Sequence, residues 1–245
     1  LRIELQQGKI DNPWFPDVLQ QEMEIDYRIN PDNALHVWGG QPRKQGDNAV
    51  MSRVAIRAAM NRTAEETEPD EVGVDVARFG DDNTEMYRRH GAKVVNHREY
   101  RKQDTQFIAE AAWDFAGRDY KVAIKVDEGG LGAGVVDRLR ALGAQVVPVN
   151  FGGLPVDKKK YTTAADEMYF DLPINEIQIP NDPDLMKELS GRLYGYDKIG
   201  RRKIESKDDY KKRFGKSPDK ADALVLCFYR PHRGGGVGFA PILGV

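Results

Sequence analysis

From residue 71 to residue 230, short apolar runs of strand length alternate with stretches of helical periodicity, and that order limits the chain to few architectures. Val72-Gly73-Val74-Asp75-Val76 reads as a strand with β-branched alternation. A turn at Phe79-Gly80-Asp81-Asp82-Asn83 leads into two more strands, 84–88 and 93–100. Phe107, Ile108, Ala111, Ala112 and Phe115 recur at helical spacing. Residues 122–126 form a fourth, apolar strand, followed by a glycine-rich turn and a helix over 135–142. Val146-Val147-Pro148-Val149 is the fifth strand. The last element is a helix opening at Ser217-Pro218-Asp219, with Ser217 as N-cap and Ala221, Leu224, Val225 and Phe228 on its apolar face. Helices alternating with buried strands predict an α/β layer architecture.

Three meandering strands followed by two strand–helix crossovers is the order of ribonuclease H-like folds, the mixed sheet flanked by helices of RuvC and retroviral integrases. A dinucleotide-binding domain would begin strand–helix–strand instead. Composition breaks divide the 245 residues into a lead-in over 1–70, a folded domain over 71–230 and a Gly/Pro-rich tail over 231–245. The lead-in holds an amphipathic stretch around 15–25 and a helix-like run over 50–60, and it ends in the acidic segment 63–70. Residues 152–160 read as a loop carrying Lys158-Lys159-Lys160. No run of about 18 apolar residues occurs, which excludes a membrane-spanning helix from the reading. The single cysteine, Cys227, excludes an internal disulfide framework and a Cys-rich zinc site, and its setting suits a small core residue.

Four carboxylates stand where carboxylates are costly. Asp75 sits in the middle of an apolar strand, flanked by Val74 and Val76, and burying its charge requires a partner or a metal. Exposure at a strand end, or pairing with Arg78, would explain it without chemistry. Asp127 closes the central run Val122-Ala123-Ile124-Lys125-Val126, and open α/β sheets place their sites at the carboxyl ends of strands. A turn or helix-capping role accounts for that residue equally well. Asp219 and Asp222 lie three apart at the start of the last helix. Helix-dipole stabilisation explains Asp219, but Asp222 precedes Ala223-Leu224-Val225-Leu226 and is expected to face the sheet. If all four converge, hard oxygen donors without a His/Cys cluster favour Mg²⁺ or Mn²⁺. Two such ions about 4 Å apart suit phosphodiester hydrolysis. His36, His90, His97 and His232 show no ligand spacing.

The net charge of −2 disfavours a nucleic-acid partner only until it is resolved along the chain. Between Lys198 and Lys220 ten basic residues face four acidic ones, a local balance of +6 that leaves −8 elsewhere. Arg201, Arg202, Lys203, Lys207, Lys211, Lys212 and Arg213 lie here, with Tyr194, Tyr196 and Tyr210 interleaved. Such runs usually mean solvated surface. Beside a phosphodiester-cutting site they read as contacts to a DNA backbone, without base recognition. The glycines of Gly129-Gly130-Leu131-Gly132-Ala133-Gly134 lack dinucleotide spacing and are expected to let a helix start close to the acidic site.

At this point the chain resembles a known family. Val72-Gly73-Val74-Asp75-Val76-Ala77-Arg78-Phe79-Gly80-Asp81-Asp82 resembles the first nuclease motif of the large terminase subunits of tailed bacteriophages. Val126-Asp127-Glu128-Gly129-Gly130-Leu131-Gly132 and the following Gly134-Val135-Val136-Asp137-Arg138-Leu139 resemble the second. Glu205-Ser206-Lys207-Asp208 with Lys216-Ser217-Pro218-Asp219-Lys220-Ala221-Asp222-Ala223-Leu224 resembles the third. Phe15-Pro16, Glu22 and His36-Val37-Trp38-Gly39-Gly40-Gln41-Pro42 are similar to the passage from ATPase to nuclease domain. The resemblance implies a metal-dependent endonuclease cutting concatemeric double-stranded DNA in the host cytoplasm during genome packaging. It implies Asp75, Asp127 and Asp222 as ligands of two Mg²⁺ or Mn²⁺ ions, with Asp219 at a more variable fourth position and Glu128 an alternative beside Asp127. Asp82 is expected to stabilise its turn.

The chain has no G-x-x-x-x-G-K-[ST] phosphate loop and starts Leu1-Arg2-Ile3-Glu4. With the resemblance, this suggests the nuclease part of a larger motor whose ATPase domain, portal and small terminase subunit are implied partners. Rival readings are a RuvC-type junction resolvase, an actin-like nucleotide-binding protein and a catalytically silent docking module. The second needs a duplicated phosphate-loop domain, and no duplication is visible.

Overall fold

The computed structural model describes residues 4–6, 9–11, 48–77 and 82–231. The stretches 15–25 and 36–42, residues 78–81 of the first turn and the tail from His232 lie outside the described residues. The chain divides into two compact units, residues 1–47 and 48–245. In the first, β1 (Glu4–Gln6) pairs antiparallel with β2 (Lys9–Asp11).

The second unit runs α1 (Arg53–Asn61), β3 (Asp70–Asp75), β4 (Thr84–His90), β5 (Lys93–Tyr100), α2 (Thr105–Phe115) and β6 (Ala123–Asp127). It continues through α3 (Gly132–Ala141), β7 (Gln145–Val149), α4 (Ala164–Phe170), α5 (Pro183–Gly191), β8 (Tyr194–Tyr196), β9 (Arg202–Ile204), α6 (Lys207–Phe214) and α7 (Asp219–Phe228). The main sheet has the order β5-β4-β3-β6-β7. β3, β4 and β5 are antiparallel neighbours, while β6 and β7 run parallel to β3. This is the mixed sheet expected from the element order, with β3 and β6 at its centre.

Alternation along β3 sorts its two faces. Val72 and Val74 point toward α2 and α3, in a core with Ile108, Trp113, Ile124 and Val135. The opposite face lies under α7, whose Ala223, Leu224 and Cys227 join Ile56, Tyr169 and Leu189 in a second core. Gly73 makes the close approach of α7 possible. A Cβ there would stand 2.5 Å from both the Ala223 carbonyl and the Cys227 amide nitrogen. At the far end of α7, Arg89 Nε and Lys125 Nζ donate to the Cys227 carbonyl at 3.1 and 2.9 Å, while Glu71 accepts from Lys125 at 2.8 Å. Two cations at a helix C-terminus complement its dipole. Cys227 is buried, as expected of a core residue.

Two regions depart from the sequence reading. Residues 48–62 pack with the second unit, so the compact unit starts well before residue 71. The Val50 amide donates to the Arg192 carbonyl at 2.9 Å, and Arg62 Nη1 donates to the Ile177 carbonyl at 2.6 Å. The insertion between β7 and α7 is also built, with two helices, the β8–β9 hairpin and α6. Thr163 and Asp166 cap α4 reciprocally, and Asp182 caps α5 ahead of Pro183.

Candidate active site

Strand register and helix placement bring the four acids together. Val74 pairs with Val126 across the parallel β3–β6 ladder, so Asp75 and Asp127 end adjacent strands side by side. Asp75 shares the face of Gly73, the face on which α7 lies, and Asp222 comes from the first turn of that helix. Asp75 is 3% exposed and Asp222 is fully buried. Asp219 is the first residue of α7 and accepts from the Asn83 amide at 3.0 Å. The N-cap position belongs to Pro218, not Ser217, and carries no side-chain cap. Gly132 lets α3 start hard against β6, since a Cβ there would meet the Asp127 carbonyl at 1.7 Å. Asp75, Asp127, Asp219 and Asp82 line one cavity of about 620 Å³ together with Arg192, Ser206 and Lys207.

The carboxylates hold each other in an unfavourable charge state. Burial pushes Asp75 well above the ordinary carboxylate range, Lys207 opposes that shift, and Asp222, Asp219 and Asp127 add to it. Burial also raises Asp127, against the Gly129 amide that donates to its Oδ1 at 3.1 Å. Asp219 is pushed up to about 6 by burial, with the Asn83 amide opposing. The Lys207 ammonium stands between these groups, 3.4 Å from both Asp75 oxygens and 2.7 Å from Asp222 Oδ2. Its own burial disfavours the charge, but Asp222 and Asp75 outweigh that and raise its pKa. The contact with Asp222 Oδ2 is an ion pair off the hydrogen-bonding direction, so that buried oxygen accepts no hydrogen bond.

Two residues that the sequence reading did not single out stand behind these acids. Tyr169, on α4, donates its hydroxyl to Asp222 Oδ1 at 2.6 Å. The Arg192 guanidinium lies over the Tyr169 ring at 4.9 Å and near the Tyr210 ring at 5.7 Å. Its Nε and Nη1 have no hydrogen-bond partner among the described residues. Neither residue is near an acidic motif in sequence, and only the built insertion carries them to it.

The basic cluster divides into groups with different surroundings. Lys207 turns into the acidic site, and Lys211 pairs with Asp82 at 2.8 Å. Arg213 is held by Glu205, with Nε–Oε2 at 3.0 Å, and by the Gly191 carbonyl at 2.7 Å. Arg201 pairs with Asp197 within its own hairpin at 2.7 Å, and Lys212 with Asp209 at 2.9 Å. Arg202 and Lys203 stand exposed on β9. Beside them lies the loop of Lys158, Lys159 and Lys160, because the Arg202 amide donates to the Lys160 carbonyl at 2.8 Å. Two basic runs some forty residues apart in sequence thus form one exposed ridge, and Lys203 at its edge also lines the acidic cavity.

Among the described residues, no three His, Cys, Asp or Glu side chains already enclose a space fitted to one ion. The donor set nevertheless fits a hard divalent cation. It consists of oxygen ligands alone, includes a buried carboxylate oxygen without a hydrogen bond, and carries negative charge that one ammonium only partly offsets.

No family model and no curated protein matches the sequence. Solved structures do match. The nuclease domain of the large terminase subunit gp2 of bacterial virus Sf6 superposes with a TM-score of 0.66 at 18% identity, covering 75% of this chain and 99% of that one. A point mutant of that domain, solved with manganese and beta-thujaplicinol, gives 0.67. The large terminase nuclease from thermophilic phage G20c, with bound magnesium, gives 0.55 at 14% identity, covering 75% of this chain and 97% of that one. The chain has the fold of a large-terminase nuclease domain. In this fold β3 and β6 carry Asp75 and Asp127 at their ends, and α7 carries Asp219 and Asp222 in its first turn.

Glu188 supports the acid-bearing end of α7. Its Oε2 accepts from the Ala221 amide at 3.1 Å, and its Oε1 lies 3.2 Å from Lys216 Nζ. Burial raises its pKa from 4.5 to about 7, while the Ala221 amide and Lys216 oppose the shift. The carboxyl is protonated in both folded and unfolded chains below about pH 4.5. Above that, only the folded chain retains the proton, so stability falls as pH rises through about 7. Glu188→Gln keeps an acceptor without the charge. Chemical denaturation is expected to show the variant losing on the order of 2 kcal/mol less than wild type between pH 5 and pH 8. Equal losses would contradict the assignment.

Proposed function

We propose that this chain is the metal-dependent endonuclease domain of a phage terminase large subunit, cleaving concatemeric double-stranded DNA with little sequence preference. The observation that carries this reading is the convergence of Asp75, Asp127 and Asp219 on one cavity, with the buried Asp222 joined to them through Lys207, in a terminase-nuclease fold. Asp75, Asp127 and Asp222, with Asp219, would hold two Mg²⁺ or Mn²⁺ ions. Such a pair supplies Lewis-acid activation of water and charge compensation for the leaving oxygen of a phosphodiester.

The chain's own residues account for the rest. The buried acids face one another across β3, β6 and α7, so the site binds divalent cations by relieving their repulsion. Lys207 offsets part of that charge in the absence of other cations and can donate to a non-bridging phosphate oxygen once displaced. Arg202, Lys203 and Lys158-Lys159-Lys160 form a cationic ridge along the cavity's edge that suits a phosphate backbone and carries no evident base-reading group. Lys212 is exposed and extends the same kind of contact, while Lys211 and Arg213 shape the site through their ion pairs. The sequence has no phosphate loop, so energy for translocation would come from an ATPase domain, working with a portal and small terminase subunit in the host cytoplasm.

Plasmid nicking in Mn²⁺ tests the site. Asp75→Ala and Asp127→Ala are each expected to slow nicking by roughly 100-fold or more, a loss matching several kcal/mol of transition-state stabilisation. Nicking at the wild-type rate by both variants would refute the metal site. The ridge has its own test. Neutralising Lys158, Arg202 and Lys203 to Gln is expected to weaken DNA binding in Ca²⁺ and to reduce the slope of log K against log salt by about 0.9 per lost phosphate contact. An unchanged slope would remove the ridge from the interface.

A further inference from the structure

Asp222 is the most enclosed of the four acids, and its surroundings are sparse for a buried carboxylate. An ionised carboxylate offers about four lone-pair positions. Among the described residues the Asp222 side chain accepts one hydrogen bond, from the Tyr169 hydroxyl at 2.6 Å on Oδ1. Its Oδ2 accepts none and faces the Lys207 ammonium at 2.7 Å. Among the described residues no backbone amide donates to this carboxylate, so the phenol is what commits Oδ1, and Oδ2, facing only the displaceable Lys207 ammonium, is the oxygen left for a cation.

Tyr169 is itself held firmly. It is 1% exposed, and it comes from α4, whose N-terminus is locked by the reciprocal Thr163–Asp166 cap. The Arg192 guanidinium covers its ring at 4.9 Å. Arg192 has Nε and Nη1 buried without hydrogen-bond partners, so it is held there by ring faces and by charge. A chain of contacts therefore runs from Arg192 through the Tyr169 ring and hydroxyl to Asp222. Both Tyr169 and Arg192 come from the insertion between β7 and α7 and belong to none of the three acidic motifs.

We propose that Tyr169 is a positioning residue for divalent-cation binding: its hydroxyl binds Asp222 Oδ1 and thereby presents Oδ2 alone to the cation. The inference rests on the metal-dependent reading above and adds to it a group that touches no cation itself. Partners that orient metal ligands in this way commonly affect metal affinity by 10- to 100-fold when removed.

Tyr169→Phe deletes only the hydroxyl and keeps the ring beneath Arg192. Mn²⁺ affinity of the full chain without DNA, read by electron paramagnetic resonance of free Mn²⁺, is expected to fall roughly 10- to 100-fold. Far-UV circular dichroism verifies that the variant is folded. Asp222→Asn and the double variant complete the cycle. If Tyr169 acts through Asp222, the double variant binds no more weakly than Asp222→Asn alone. Wild-type affinity in Tyr169→Phe together with lost affinity in Asp222→Asn would overturn the role of Tyr169 and leave the metal reading intact. Wild-type affinity in both variants would overturn the metal reading and this proposal with it. Should Tyr169→Phe fail to fold, Arg192→Lys, which retains charge but not the planar stack, is expected to weaken Mn²⁺ several-fold. Unchanged affinity in that variant would count against the chain of contacts.

Discussion

The direct packing of α7 on β3 is the contact on which the rest depends. Because Gly73 has no side chain, the helix backbone comes within van der Waals reach of the strand backbone. That approach places Asp222 over Asp75, while register with β6 places Asp127 alongside. Three carboxylates are thus forced together by apolar packing that has nothing to do with their charges. The helix is held at its other end by Arg89 and Lys125, which both donate to the Cys227 carbonyl and oppose any slide that would relieve the repulsion. A hydrophobic core of ordinary kind thereby maintains an electrostatically unfavourable cluster, and Lys207 offsets part of it.

Much of this was legible in the sequence because it depends on local pattern. β-branched alternation marked β3, an apolar run marked β6, and Asp75 stood out as a charge within the first and Asp127 as a charge at the end of the second. Asp222 was legible because it interrupts the buried face of a helix. The glycine-rich turn after Asp127 was correctly read as room for a helix start, since Gly132 leaves no space for a Cβ. What remained hidden was long-range. Nothing in the run from 161 to 192 marks Tyr169 or Arg192, because a tyrosine on a short capped helix looks like any core aromatic. The same applies to segment 48–62, where the Val50 amide bonds to the Arg192 carbonyl and the Arg62 guanidinium to the Ile174 and Ile177 carbonyls, joining residues more than a hundred positions apart.

Charge was the feature most altered by three dimensions. The +6 segment reads in sequence as one cationic surface. In the fold, Lys207 and Lys211 turn toward acids, Arg213 and Arg201 are tied within the scaffold, and Arg202 and Lys203 lie beside the distant lysine loop. Spacing along a chain says little about which of several neighbouring cations will find a carboxylate. The outcome is a cationic ridge at the edge of an acidic cavity.

Anomalous diffraction from crystals soaked in Mn²⁺ tests the central claim most directly. The account predicts anomalous density bounded by Asp75, Asp127 and Asp222, with the Lys207 ammonium displaced from its place between Asp75 and Asp222. Density elsewhere, or an unchanged Lys207 at saturating Mn²⁺, would contradict it.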